Sequence, residues 1–331
     1  MLSFSRGKPI AKLYKIDKPK KDGKNGKKKI PVIPKKPDKT IAIYGEDDFG
    51  KDKISDIEIP KKEYGDLLTL DFFKENKVPK AKRQRVKDIV SSKVSKEKMS
   101  DEMSEYVNEA ELFIANSLKT RVDFSDDEIL RCFPIPQKKS ERIYVPAPSG
   151  SGKSTFIGMY LSQIREKYAK RPIYIFSRVE EDEPLDAFKN TFRIPLNRKT
   201  FEKEPLEIEN FKDAILIFDD IDTILDKPLV KYIRNFRDDV LETGRHYGIT
   251  IISTSHIITN FLATRTLINE ANAIVLFPKG SSFYAVSNFL ERYMGFSRKQ
   301  IRQVENLETR WLWIWKEYPK YAIYERGVFI F

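Results

Sequence analysis

The run Ala147-Pro-Ser-Gly-Ser-Gly-Lys153-Ser154 restricts the folds open to this chain more than any other stretch of it. An apolar segment, Arg142 to Val145, precedes it and a helical pattern follows, so the order reads strand, glycine-bearing loop, helix. Gly150 and Gly152 let the backbone wrap closely, with successive N–H groups aimed at an anion near the positive end of the helix. That is the construction of a phosphate-binding loop. Ser149, Gly150, Ser151, Gly152, Lys153, Ser154 and Thr155 form the expected nucleotide cradle. Lys153 is placed to reach the β and γ phosphates, and Ser154 to offer its hydroxyl to magnesium. Ala147 stands where the motif often has its first glycine.

A second element lies downstream. Ile215 to Phe218 is wholly apolar and is followed by Asp219 and Asp220, the pattern of a buried parallel strand presenting acids at its C-terminal end. Asp219 is expected to hold magnesium, and Asp220 to orient or deprotonate an attacking water. Asp222 is a further carboxylate, expected to face the start of the next helix. The third element, Arg245 to His256, holds both histidines of the protein, one on each side of an apolar strand. Thr254, Ser255 and His256 at its end are candidates to touch the γ phosphate or the attacking water. Arg245 and His246 can also serve as cations in the last turn of the preceding helix.

Around these elements, short apolar strands alternate with longer helical patterns from Arg142 onward, which is the texture of an α/β fold with a mostly parallel sheet. Strands are expected at 142–145, 173–176, 214–218, 249–253 and 273–277. Helices are expected after Lys153, after Lys227 and over 283–293. Strict alternation in Trp311 to Trp315 and Tyr321 to Tyr324 predicts a C-terminal β-hairpin whose tryptophans pack a sheet face. Upstream, residues 1–40 are rich in Lys, Pro and Gly and read as a basic disordered tail, with lysine runs such as Lys27-Lys28-Lys29. Residues 41–139 form an accessory or docking region, partly helical, and 140–331 the ATPase domain.

The net charge is +12, which points to a polyanionic partner such as nucleic acid. A lone cysteine, Cys132, excludes an internal disulfide. No segment has the apolar length of a membrane span, so a soluble protein is expected.

Ala147 to Ser154, then Ile215 to Asp220, then Gly244-Arg-His246 leading into Ile251 to His256, together resemble the FtsK/HerA superfamily of P-loop ATPases. The order and spacing are most similar to the poxvirus-type genome-packaging ATPases of large DNA viruses, over roughly residues 140 to 325. The resemblance implies a RecA-like core with ATP and Mg2+ as its ligands. It also implies a homo-oligomeric ring that threads double-stranded DNA into a capsid, with a capsid or portal partner and a place in host cytoplasm or virion. Motors of this kind set an arginine of one subunit against the nucleotide of the next, for which Arg237, Arg245 and Arg265 are candidates, Arg245 foremost. The family more often ends the third motif with glutamine, where this chain has Ser255 and His256. Two other classes stay open: a small-molecule, nucleoside-type phosphotransferase, and a nucleotide-gated DNA-binding virion assembly protein.

Overall fold

The structure, a computed structural model, describes residues 2–4, 7–16, 36–43, 61–68, 70–95, 99–123, 130–258 and 261–331. The run Lys27-Lys28-Lys29 lies outside them. The chain divides into two compact units. The first comprises Met1–Pro9, Thr40–Asp123 and Ile330, and the second comprises Ile10–Lys39, Phe124–Phe329 and Phe331.

In chain order the elements begin with β1 (Leu2–Ser3), β2 (Lys8–Lys15) and β3 (Lys39–Ile43). In the first unit, β1 pairs antiparallel with β3, Leu2 opposite Ile43. A 3-10 helix over Lys61–Leu67 leads to α1 (Leu70–Glu75), α2 (Lys80–Val90), α3 (Asp101–Thr120) and β4 (Arg121–Asp123). Ser100 caps α3, its side chain accepting from the Met103 N–H at 3.3 Å. Met103, Val107, Ala110 and Ile114 recur at intervals of three and four, so they share a helix face. They bury against Phe72, Phe73, Val86 and Ile89, while Tyr106 and Phe113 flank that core.

The second unit opens with a departure from the expected tail. β2 lies within residues 1–40, yet Ile10, Ala11, Leu13 and Tyr14 are buried. Their burial follows from pairing with β5 (Leu130–Pro134), Leu13 opposite Cys132, which gives an otherwise charged segment a partner strand.

Then come β6 (Arg142–Pro146), α4 (Lys153–Lys167), β7 (Ile173–Ser177), α5 (Glu183–Asp186), β8 (Thr191–Arg193) and α6 (Arg198–Lys203). They are followed by β9 (Ile215–Asp219), α7 (Lys227–Thr243), β10 (Thr250–Ser255), α8 (Phe261–Glu270), β11 (Ala273–Leu276), α9 (Phe283–Met294) and α10 (Arg298–Glu305). The chain ends with β12 (Leu312–Trp315), β13 (Tyr321–Tyr324) and β14 (Gly327–Ile330).

Within this unit the strand order is β14-β13-β12-β11-β6-β10-β9-β7-β8. From β11 to β8 the neighbours are parallel, and the hairpin β12–β13 extends the sheet antiparallel from β11. This is a RecA-like P-loop fold: the strand before the glycine loop, β6, lies between β11 and β10, and the acid-bearing β9 is the next strand after β10. The order explains why β9 can be apolar throughout, since every residue of it is buried. All three tryptophans pack inward, Trp311 4.9 Å from Phe156 and Trp313 5.0 Å from Tyr160 between ring centroids.

The N-terminal ends of β7, β9 and β10 are tied by one side chain. Arg171, 7% exposed, donates to the carbonyls of Asp213 and Lys139, each at 2.8 Å, and of Ala214 and Gly248, each at 2.6 Å. It also reaches Thr250 Oγ1 at 3.2 Å. Nearby in sequence to β6, Glu141 is buried, and its Oε1 accepts from the N–H groups of Gln137 and Lys138. Oε2 has no partner among the described residues.

Burial pushes the Glu141 carboxyl up to about 7, against which the two N–H donors act in the opposite direction. The folded chain therefore holds more protons than the unfolded one between the ordinary glutamate range and about pH 7. Stability should fall as pH rises through that window, by on the order of 3 kcal/mol for this group alone. Glu141→Gln should flatten the dependence. Urea unfolding midpoints of both proteins at pH 5 and pH 8 check it; a parallel decline in the variant would refute the assignment.

Candidate active site

The glycine loop leaves β6 at its C-terminal end. Gly150 and Gly152 hold φ of 76° and 98°, the left-handed region that a Cβ disfavours, and Gly152 is the cap residue of α4. The first N–H groups of α4 have no intrahelical acceptor, so they face the space that the loop encloses. Ser149 and Gly150 are exposed, while Ser151, Ser154 and Thr155 are half-buried. Gly280, after β11, braces the loop from outside: a Cβ there would stand 2.9 Å from Ser151 Oγ.

Lys153 is 7% exposed, and its Nζ donates to the Ala147 carbonyl at 2.8 Å and pairs with Asp220 Oδ2 at 3.2 Å. His256 Nε2 lies 3.2 Å from the same oxygen. The parallel register sets Ser177 opposite Asp219, and the Ser177 hydroxyl donates to Asp219 Oδ2 at 3.0 Å. Thr254 Oγ1 lies 3.0 Å from Asp219 Oδ1 and 2.9 Å from Asp220 Oδ1, and accepts the Asp220 N–H at 2.8 Å. Asp220 itself adopts φ 44°, left-handed backbone that aspartate tolerates better than most residues and that turns the chain out of the strand.

Burial, followed by the neighbouring Asp220 charge, raises the Asp219 carboxyl above the usual range, and the hydroxyls of Ser177 and Thr254 act against that rise. Two adjoining carboxylates, one of them buried, thus meet a single lysine ammonium. Such a donor set has surplus negative charge, and it fits a divalent cation shared with phosphate oxygens. Ser154 and Asp219 are the residues that would hold it.

Strand alternation sends Ser255 elsewhere. Its hydroxyl donates to the Ile257 carbonyl at 2.7 Å and shares a hydrogen bond of 2.8 Å with the Tyr144 hydroxyl. Tyr144 also reaches the carbonyls of Ile257 and Ile258, at 3.2 and 3.1 Å, so the pair fastens the segment after β10 to β6. Arg245 is exposed, with its Nε 3.4 Å from His246 Nε2, and Arg265 is exposed on α8. Arg237 is buried, 2% exposed, and forks onto Asp238 Oδ1. Asp222 pairs with Arg234 at 2.6 Å.

No known family profile matches the chain. Its sequence is 39% identical over 197 residues to a protein of Sputnik virophage named as uncharacterized protein V3, a match covering 59% of this chain and 78% of the virophage protein. The chain belongs to the V3 family. Among solved structures, this V3-family chain superposes on the genome-packaging NTPase B204 of Sulfolobus turreted icosahedral virus 2 in complex with AMP. The TM-score is 0.39 at 14% identity, over 57% of this chain and 98% of that one. The conjugation coupling protein TcpA of pCW3, in its monomer form with ATPγS, gives a TM-score of 0.41 at 13% identity, over 59% of this chain and 62% of that one.

Ser177, Tyr144 and Gly280 escaped the sequence reading of the V3-family chain. Ser177 lies one residue beyond the strand expected at 173–176, and its meeting with Asp219 needs the strand order, which no local pattern carries. Tyr144 looks like any core aromatic of β6. The contribution of Thr254 to both carboxylates can be tested in isolation: Thr254→Val keeps the shape and removes the hydroxyl. If Asp219 is the metal-binding acid that the sequence predicts, nucleotide turnover should drop by on the order of 10- to 100-fold with the melting temperature little changed, because a residue that orients such an acid is worth about that much. Undiminished phosphate release would show that the hydroxyl is dispensable.

Proposed function

We propose that this chain is an ATP-hydrolysing translocase of double-stranded DNA that packages a viral genome. The single observation carrying the reading is that Lys153, Asp219, Asp220, Thr254 and His256 form one hydrogen-bonded cluster beside the glycine loop. In this reading, Ser149 to Thr155 bind the phosphates through backbone N–H groups, and Lys153 leaves Asp220 to neutralise the β and γ phosphates. A magnesium ion held by Ser154 and Asp219 would supply charge neutralisation for the phosphates. Asp220, freed of Lys153, accepts a proton from the attacking water, and its left-handed backbone keeps it at the strand end. Thr254 holds Asp219 and Asp220 in place, and His256 orients the second carboxylate. Ser255, occupied by Tyr144 and Ile257, keeps the segment bearing His256 in position.

DNA as the substrate rests on the net charge of +12 and on the likeness of the three motifs to FtsK/HerA motors. Arg245 and Arg265, both exposed, are free to serve a neighbouring subunit of a ring, whereas Arg237 is engaged with Asp238. Packaging then takes place in host cytoplasm or the assembling virion, against a capsid or portal component. No described helix is long and apolar enough to cross a membrane.

Phosphate release measured with and without long duplex DNA tests the proposal. Turnover should rise with DNA; equal rates would sink the motor. Phosphate appearing on a nucleoside instead of in water would favour the phosphotransferase.

A further inference from the structure

Between Lys74 and Lys93 the first unit carries eight cations against two acids, Glu75 and Asp88. Half of the chain's net charge of +12 therefore resides in this one stretch. It forms the end of α1, the turn after it, and α2 with its C-terminal flank.

Three of the cations have structural partners. Lys82 pairs with Glu102 of α3, and the Arg83 guanidinium and Lys87 ammonium lie over the Phe73 ring at 5.6 and 5.9 Å. Arg83 Nε also donates to the Val78 carbonyl at 3.1 Å. These contacts fasten α2 to α1 and to α3. Lys74, Lys77, Lys80 and Arg85 are different: they are exposed and have no ion-pair partner among the described residues. The core makes no use of them, since α2 buries only Val86, Ile89 and Val90.

Acids that could neutralise them are close at hand. Asp101, Glu102, Glu105, Glu109 and Glu111 make α3 acidic, with no cation before Lys119. Of these acids, Glu102 pairs with Lys82 of α2. An ordinary solvated surface intersperses its signs, and a field of one sign costs self-repulsion that a polyanion relieves. The exposed positions of α2 are Lys80, Ala81, Gln84 and Arg85, which lack the aromatic and leucine-rich flank of a helix that lies in a lipid interface.

We infer that the surface carrying Lys74, Lys77, Lys80 and Arg85 binds the phosphate backbone of duplex DNA, as a contact separate from the nucleotide site. The inference rests on the DNA-motor reading and adds a second point of attachment to it. Exposed lysines and an arginine spread over the end of α1, the turn after it and α2 contact phosphates without reading bases, so the binding is independent of sequence and strongly salt-dependent.

The test uses the full chain with the four residues replaced by alanine, beside a second variant with the three lysines changed to arginine. Duplex DNA affinity is measured by fluorescence anisotropy without nucleotide across a salt series. The alanine variant should bind on the order of tenfold or more weakly, and its log–log salt slope should shrink by about three to four, near 0.9 per lost phosphate contact. The arginine variant should retain wild-type affinity, since it keeps the charges, and the alanine variant should keep the wild-type urea unfolding midpoint, which excludes a folding defect. Unchanged affinity and slope in the alanine variant overturn the inference. So does a loss confined to vesicles of anionic lipid. DNA-stimulated phosphate release by the wild type is recorded alongside: its absence counts against the motor reading, while the binding comparison still decides the role of this surface.

Discussion

Lys153→Ala should abolish ATP turnover, by on the order of 10²- to 10³-fold or more, while the chain stays folded. The expectation follows from the two states of the ammonium. In this structure it lies against the Ala147 carbonyl and Asp220 Oδ2, so it already offsets one of the two carboxylate charges. In the proposed mechanism the same charge serves where negative charge develops on the transferred phosphoryl group, and removal of one such donor costs about two to three decades. The variant also removes the ammonium that pairs with Asp220 beside Asp219. Phosphate release together with binding of a fluorescent ATP analogue checks the expectation. Turnover within threefold of the wild type would remove Lys153 from the chemistry, and with it the reading of the whole loop.

The second large effect is on stability and lies at the opposite edge of the sheet. Arg171→Ala should destabilise the fold by about 3 to 5 kcal/mol, the range for stripping a buried, multiply bonded charge from its partners. Four carbonyls, of Asp213, Lys139, Ala214 and Gly248, would lose their donor together. Burial lowers the guanidinium's proton affinity, but not enough to matter, since arginine stays charged at any working pH. Arg171→Lys should recover only part of the loss, because an ammonium cannot span acceptors that a planar fork reaches in several directions. Urea unfolding measures both. An alanine variant within 1 kcal/mol of the wild type would show that water replaces the fork.

These two residues mark the difference between what could be read in the sequence and what could not. Lys153 sits in a contiguous motif whose neighbours dictate local geometry, so its place beside a strand end and a helix start followed from eight residues. The strands at 142–145, 173–176, 214–218, 249–253 and 273–277 were likewise legible, since an apolar run between turn signals has few other uses. Arg171 had no such signature. Its partners lie 32 to 79 positions away in the chain, and only the parallel order of β7, β9 and β10 collects them. The same holds for Ser177, whose hydroxyl acquires meaning once β7 is known to flank β9. At the N-terminus, composition misled: the lysines of Lys8–Lys15 hid Ile10, Ala11, Leu13 and Tyr14, which are buried on both faces of the strand. Charge content describes the average of a segment, whereas strand formation depends on which positions the rest of the fold can cover.

The Thr254 hydroxyl has one hydrogen and two claimants. It stands 3.0 Å from Asp219 and 2.9 Å from Asp220, and one of its two lone pairs accepts the Asp220 N–H. A single proton cannot be given to both carboxylates at once, so at each instant one of them goes without. The two acids are thereby wired in series: whatever neutralises Asp219 releases the hydroxyl to Asp220, and whatever protonates Asp220 sends it back. The state of one carboxylate is legible at the other through a single rotating bond.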